Sequence, residues 1–256
     1  SNIKFNGALV FQISGDGPVK LAVTEVQSNM AVRSTVTLLG DVAPDATLTD
    51  LVNVHGKGRC AITLDPKEKL PGQQPYQGVV PLVDAGGEPL DSLGAILQQY
   101  MRQSEQLDTT LVLAADEQVA AGLLIQRLPV QGQDNLSQSS VAREDDAGEA
   151  AEDDYQRIAI LAKSLKREEL LGLDADTILR RLFWEENLMR FEPLAGAQGP
   201  RFACSCSRGR VAAMLKGLGQ DEAEDILKEQ GQIEVGCDFC GQQERFDAVD
   251  VGRLFT

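Results

Sequence analysis

Five cysteines are present, and four of them fall within 37 residues near the C-terminus. They read Cys204-Ser205-Cys206 and Cys237-Asp238-Phe239-Cys240, two close pairs separated by thirty residues. Two thiol pairs across a folded spacer are how a chain offers four thiolates to one tetrahedral zinc ion. The one histidine, His55, is far from both pairs in sequence, so an all-cysteine set of Cys204, Cys206, Cys237 and Cys240 is expected. Four protein ligands leave no open coordination position, which argues for structural or regulatory zinc and against catalytic zinc. Gly236 and Gly241 flank the second pair and would let backbone N–H groups turn toward sulfur.

Two other chemistries use paired cysteines. A pair of disulfides suits a secreted chain, yet no charged segment followed by an apolar stretch opens this one, and a fifth cysteine is left over. A thioredoxin-like dithiol needs a strand-then-helix setting, whereas Gln243 to Val251 reads as a strand. Zinc ranks ahead of both. Thiolates bind zinc and disulfides do not. Were each pair to close on itself, as Cys204–Cys206 and Cys237–Cys240, the new loops would hold only a few residues. They could not replace a tie that spans thirty. Oxidation would then unfold the metal-held unit and remove support from a neighbour docked on it.

The elements that must carry this site follow from composition and periodicity. At 256 residues the chain is long enough for one large domain or two smaller ones. Its formal net charge is −15, from 24 Lys and Arg against 39 Asp and Glu. That balance argues against general nucleic-acid binding, which needs surplus cations. No run approaches the roughly 18 apolar residues of a membrane span, so a soluble protein is expected. The sequence begins at Ser1 rather than Met, as a processed chain or a fragment does.

Residues 1–131 read as an α+β unit. Strand candidates are Ile3–Phe5, Ala8–Ile13, Val19–Val26, Met30–Leu39, Gly58–Leu64, Tyr76–Val83, Thr110–Ala114 and Gly122–Leu128. Gly15-Asp16-Gly17-Pro18 is a turn, not a phosphate loop, because no Lys-Ser/Thr and helix follow. One helix is predicted where Leu93, Ile96, Leu97, Tyr100 and Met101 recur at helical spacing, capped by Asp91 or Ser92. Cys60 alternates with Ile62 and Leu64 and is expected in the core. His55 is expected in a surface loop.

Residues 132–198 change character. Gln131–Ser140 reads as loop, and Glu144–Asp154 carries seven acidic residues and no basic one, predicting a self-repelling tether. Amphipathic helices follow. The first places Ile158, Leu161 and Leu165 on one face; the second, capped by Asp176, buries Ile178, Leu179, Leu182 and Phe183 beside Trp184. This stretch is too small for its own core and must dock, best on the sheet of the first unit. Gly196–Pro200 marks a boundary. Residues 199–256 form a unit near the lower size limit for folding without a staple. Arg210–Lys216 is helical, and Asp221 with Glu224 starts a helix that Gly231 ends. Arg208 and Arg210 stand beside the first cysteine pair and either lower thiol pKa values or are plain surface charges.

At this point the residues resemble a known family. Cys204-Ser205-Cys206-Ser207-Arg208 and Gly236-Cys237-Asp238-Phe239-Cys240-Gly241 are similar to the zinc motif of the redox-regulated 33 kDa heat-shock proteins. Tyr76-Gln77-Gly78-Val79-Val80, Arg102–Leu107, Ala120–Leu124, Glu168–Leu171 and Leu182–Glu186 resemble further stretches of that family, so the likeness covers essentially the whole chain. The resemblance implies a cytoplasmic, ATP-independent holdase that is not an enzyme. It implies one Zn2+ held in the reduced state by Cys204, Cys206, Cys237 and Cys240. Oxidation would give the disulfides Cys204–Cys206 and Cys237–Cys240, release zinc and unfold the linker. The partners implied are unfolding client proteins, a second copy of the chain as a homodimer, and ATP-dependent refolding chaperones downstream, with no nucleic acid and no membrane. Ile178, Leu179, Leu182, Phe183 and Trp184 are the candidate linker-docking or client-binding residues. Family members carry a strand and helices ahead of the segment matching Ile3-Lys4-Phe5, so the first sheet is expected to be incomplete or completed by a partner. A thiol–disulfide oxidoreductase and a zinc-ribbon nucleic-acid module remain the alternatives.

Overall fold

The structure is a computed structural model and describes residues 6–68, 74–128, 144–191 and 199–255. Its architecture is α+β, as expected. The first strands are β1 (Gly7–Ser14), β2 (Val19–Gln27), β3 (Ala31–Leu38), β4 (Arg59–Pro66) and β5 (Tyr76–Pro81). They lie antiparallel in the order β5-β4-β1-β2-β3. The period-two pattern puts alternate residues on one face. Ile13, Cys60 and Val80 thus form a single row across β1, β4 and β5, and each is buried. Helix α1 (Leu48–Val52) closes one end of this core through Val52, and helix α2 (Leu93–Ser104) covers the face with Ile96 and Tyr100. Ser92 is the cap of α2, its Oγ accepting from the Ala95 N–H.

The Gly15–Pro18 turn joins β1 to β2. A Cβ on Gly15 would come within 2.1 Å of the Val19 carbonyl oxygen, so only glycine fits there. Asp16 accepts from the backbone N–H groups of His55 and Lys57 and pins the exposed His55 loop.

The hairpin β6 (Thr109–Ala115) and β7 (Ala120–Gln126) is separate from the main sheet and packs on the other side of α2. Its outer side carries α3 (Glu144–Lys163), α4 (Arg167–Gly172) and α5 (Ala175–Phe183). Ala162, Leu165, Leu170, Ile178, Leu182 and Phe183 are buried there, with Ile158, Leu161 and Leu179 partly so. They pack on Val112, Ala114, Ala121, Leu123 and Ile125 of the hairpin. Tyr155 Oη lies 3.0 Å from Thr110 Oγ1, a polar tie between α3 and β6.

The rest of the chain is built from β8 (Arg201–Phe202), α6 (Arg208–Leu218), α7 (Gln220–Gln230), β9 (Ile233–Gly236), β10 (Gln243–Phe246) and α8 (Ala248–Leu254). Leu215, Ala223, Ile233, Phe246 and Val251 make its small core. β8 pairs in parallel with β3, as a sixth strand on the edge of the main sheet.

Several expectations are corrected. Glu144–Asp154 is not a loose tether; it forms the first half of α3. Its Ala and Glu residues favour helix, and acids at a helix N-terminus are stabilised by the helix dipole. The cap of α5 is Asp174, which accepts from Thr177 N–H at 3.0 Å; Asp176 sits inside the first turn. Asp221 likewise lies in the first turn of α7, behind Gly219, and no side chain caps that helix. Gln243–Val251 is strand only to Phe246; Asp247 and Asp250 then form a capping box that starts α8. Trp184 is no core contact, being 76% exposed at the end of α5. The expectations for Ile3–Phe5, Gln131–Ser140 and the start of Gly196–Pro200 lie outside the described residues.

Candidate metal centre

Local folding brings the two cysteine pairs to one point. Cys204 and Cys206 follow β8 and precede the N-cap of α6, Ser207, whose Oγ accepts from the Arg210 N–H. Cys237 and Cys240 sit in the turn between β9 and β10. That turn is closed by the Gly241 N–H donating to the Cys237 carbonyl at 2.8 Å, and by the Cys237 N–H donating to the Gln242 carbonyl at 2.9 Å. Gly241 takes φ +72, a left-handed conformation that a side chain would strain.

The four sulfurs lie within 4.8 Å of one another. Cys204 Sγ is 3.6 Å from Cys237 Sγ, and Cys206 Sγ is 3.2 Å from Cys240 Sγ. A tetrahedral zinc with Zn–S bonds of about 2.3 Å has edges of about 3.8 Å. The observed separations bracket that edge, so the thiol set fits the ion the spacing calls for. Both of these contacts run between the pairs, so the two pairs face one common point. Burial of these residues is partial, and Cys240 is exposed. A cavity of about 240 Å³ reaches Cys206 and Cys237, walled by Val211, Met214 and Val235 and flanked by Arg33 and Arg210.

Electrostatics differ among the sulfurs. The Cys206 backbone N–H, with the neighbouring thiols and Arg33, pulls the Cys204 pKa down to about 6. Sharing its proton with Cys240 and Cys204 pushes Cys206 up to about 12. Cys60 is the contrast: it is fully buried, and desolvation raises its thiol to about 12.

The two arginines expected beside the first cysteine pair, Arg208 and Arg210, hydrogen-bond to groups other than sulfur. Arg208 donates to Asp250 and to the Arg245 carbonyl and covers the Phe246 ring. Arg210 donates to Ser205 Oγ at 2.6 Å. The cation at the centre is instead Arg33, on β3. Its Nη1 lies 3.9 Å from Cys204 Sγ, its Nε donates to Glu25 at 3.0 Å, and its Cζ stands 4.3 Å from the Phe239 ring centroid. Sequence reasoning gave no signal for it, because Arg33 is 171 positions from Cys204.

Comparison with known proteins decides the family. The family described as Hsp33 protein matches residues 1–247. This chain belongs to the Hsp33 family. The 33 kDa chaperonin of Methylobacillus flagellatus is 41% identical over 251 residues, covering 98% of this chain and 74% of its own. That of Chromobacterium violaceum is 42% identical over 255 residues, covering 100% of this chain and 76% of its own. The crystal structure of the 33 kDa chaperonin from Thermotoga maritima superposes with a TM-score of 0.73 at 20% identity, over 98% of this chain and 78% of that one, which shows the shared fold. Within the Hsp33 family, four cysteines placed to hold one metal ion are consistent with zinc binding and with a redox switch. No helix among the described residues is long and apolar enough to cross a membrane.

Proposed function

We propose that this Hsp33 chain is a redox-regulated, ATP-independent holdase of the cytoplasm, not an enzyme, and that its four clustered cysteines are the sensor. The observation that carries the proposal is the approach of Cys204, Cys206, Cys237 and Cys240 to within 4.8 Å in a unit with only a small core. One Zn2+ bound there in the reduced state would keep all four sulfurs as thiolates. In this reading residues 1–131 are the chaperone core, 132–198 the linker and 199–256 the redox-switch domain.

Peroxide oxidises the centre in two steps. In each, two thiolates form one disulfide, giving two electrons to one hydroperoxide, which takes up two protons and leaves as water and an alcohol or a second water. The disulfides are Cys204–Cys206 and Cys237–Cys240. Neither retains a metal-binding thiolate, so the four residues that would hold zinc could no longer hold it. The long-range tie is lost and the C-terminal core, built on five buried side chains, loses its staple. β8 then comes off β3. Because β8 is the C-terminal anchor of the linker, α3–α5 lose their hold at one end. Their apolar faces and the hairpin beneath them open together, so Ile178, Leu179, Leu182 and Phe183 join the already exposed Trp184 as surface for unfolding clients. The exposed surface favours a homodimer, and ATP-dependent chaperones receive the clients afterwards. The −15 charge keeps such an apolar surface soluble and disfavours nucleic acid as a partner.

The test is client aggregation at raised temperature with the zinc-loaded reduced protein and the peroxide-treated protein side by side. Suppression by the oxidised form alone, reversed by a dithiol reductant and zinc, is expected. Equal suppression by both forms contradicts the switch, and turnover of dithiol substrates with neither form suppressing would establish an oxidoreductase instead.

A further inference from the structure

The redox reading above leaves open how the sheet learns the state of the sulfurs, and the geometry points to Arg33 as a latch that docks the C-terminal unit on β3 only while the tetrathiolate is intact. The inference rests on that reading and adds a residue and an interface to it. Arg33 projects from the strand that β8 joins, and its side chain is largely buried, at 16% exposure, as is that of Glu25. The guanidinium is held from three sides. Glu25 on β2 accepts from its Nε and Nη2, Cys204 Sγ faces its Nη1, and the Phe239 ring lies across its plane. Phe239 is in the second cysteine pair and Cys204 in the first, so one side chain of the sheet reads both halves of the centre. The backbone contact beside it is slight. Ala203 N–H donates to the Val32 carbonyl and Arg201 N–H to the Met30 carbonyl, both at 3.1 Å.

Charge makes this contact conditional. Four thiolates with one divalent cation carry a net −2, and a guanidinium next to them is stabilised. Converting Cys204 and Cys206 to a disulfide, with two electrons passing to a hydroperoxide, removes the anion that Arg33 faces. Closing Cys237 on Cys240 also reshapes the turn that holds Phe239 over the guanidinium. Beside the Arg201 and Ala203 backbone bonds, Arg201 of the two-residue strand donates from Nη1 to the Asn29 carbonyl just before β3 at 2.7 Å, a contact remote from the sulfurs that does not respond to their state. Linkage runs both ways: if the centre stabilises docking, docking stabilises the reduced, metal-bound centre.

Hydrogen exchange at the Ala203 amide reads docking in the full-length, zinc-loaded, reduced protein, with no client present. Arg33→Gln is expected to lower Ala203 protection at least tenfold and to speed zinc release under peroxide several-fold, with zinc content before oxidation unchanged. Arg33→Lys, which keeps charge but loses the planar fork, is expected to fall between Arg33→Gln and wild type. Glu25→Gln lies on β2, outside the metal-held unit, and is expected to loosen Ala203 to a lesser degree. Native protection and a native zinc-release rate in Arg33→Gln overturn the latch. Should Arg33→Gln fail to fold, unchanged Ala203 protection in Glu25→Gln overturns it equally. Because docking is read without client or oxidant, loss of protection supports the latch even if oxidised wild type holds no client, an outcome that would overturn only the chaperone reading.

Discussion

Cys204 and Cys60 are the same side chain in opposite surroundings. Backbone and thiol hydrogen bonds hold Cys204 down at about 6, whereas burial holds Cys60 up at about 12. The thiolate is the reacting and ligating form. Cys60 is fully enclosed while the C-terminal four are partly or fully exposed, so peroxide is expected to consume those four and spare Cys60 in the folded protein, checked by mass spectrometry of alkylated thiols. Cys60→Ser should leave zinc content unchanged while costing about 1–3 kcal/mol, because a buried hydroxyl without a partner is destabilising; denaturant unfolding measures it. Cys204→Ser should instead lose the metal and melt α6–α8, since metal ligation in small zinc units is worth about 10–16 kcal/mol. These four residues were legible in the sequence because residue type and spacing carry the chemistry. Arg33 was not. A lone arginine in an alternating strand has no local signature, and its contact with Cys204 arises only because β8 adds to β3. Arg208 and Arg210, close to the cysteines in sequence, found Asp250 and Ser205 instead.

At the scale of elements, α5 is the piece whose stability would set linker release in the proposed switch. Its inward face, Ile178, Leu182 and Phe183, was readable from helical spacing, and it docks on the hairpin. Leu182→Ala should cost about 2–5 kcal/mol, borne by the linker. Limited proteolysis of the reduced protein should then cut at α5 sooner, and less peroxide should be needed for activation. Acid acts on the same helix. The Thr177 hydroxyl, together with backbone N–H groups, keeps the Asp174 carboxyl below its usual 3.8. For Glu25, burial opposes ionisation, but hydrogen bonds from Arg33 outweigh it and keep the group below 4.5. A carboxyl with a lowered folded pKa stabilises fully above its unfolded value, and the contribution is lost as pH falls through the folded value. Helix content should therefore be flat near neutrality and decline only below about pH 4, as circular dichroism can follow, with Asp174→Asn removing part of that acid sensitivity. The acidic run shows where composition misleads. Like charge suggested a tether, but helix propensity and the N-terminal dipole outweigh repulsion along α3. The strand expected over Gln243–Val251 failed for a related reason: the Asp247 and Asp250 caps redirect the chain after Phe246.

For the whole molecule, order follows layers: main sheet, α2, hairpin, then α3–α5, with the unit that carries the cysteine cluster on the sheet edge at β3. Alternating and helical periodicity marked the elements but not the layers: the amphipathic helices were expected on the first unit's main sheet, and they dock instead on the separate β6–β7 hairpin across α2. The attachment point was not marked either, because β8 is only two residues long. The cysteine cluster follows β8, and the covered apolar surface lies between α3–α5 and the hairpin; the proposed switch would couple the two through the chain between them. The central claim is that loss of the metal-held tie frees that surface. The most direct test follows zinc release and amide exchange across α5 in one peroxide-treated sample of the full chain at raised temperature, with an unfolding client present. Zinc release followed by loss of α5 protection and onset of client holding is the predicted result. Complete zinc release with α5 still protected and the client aggregating freely would contradict it.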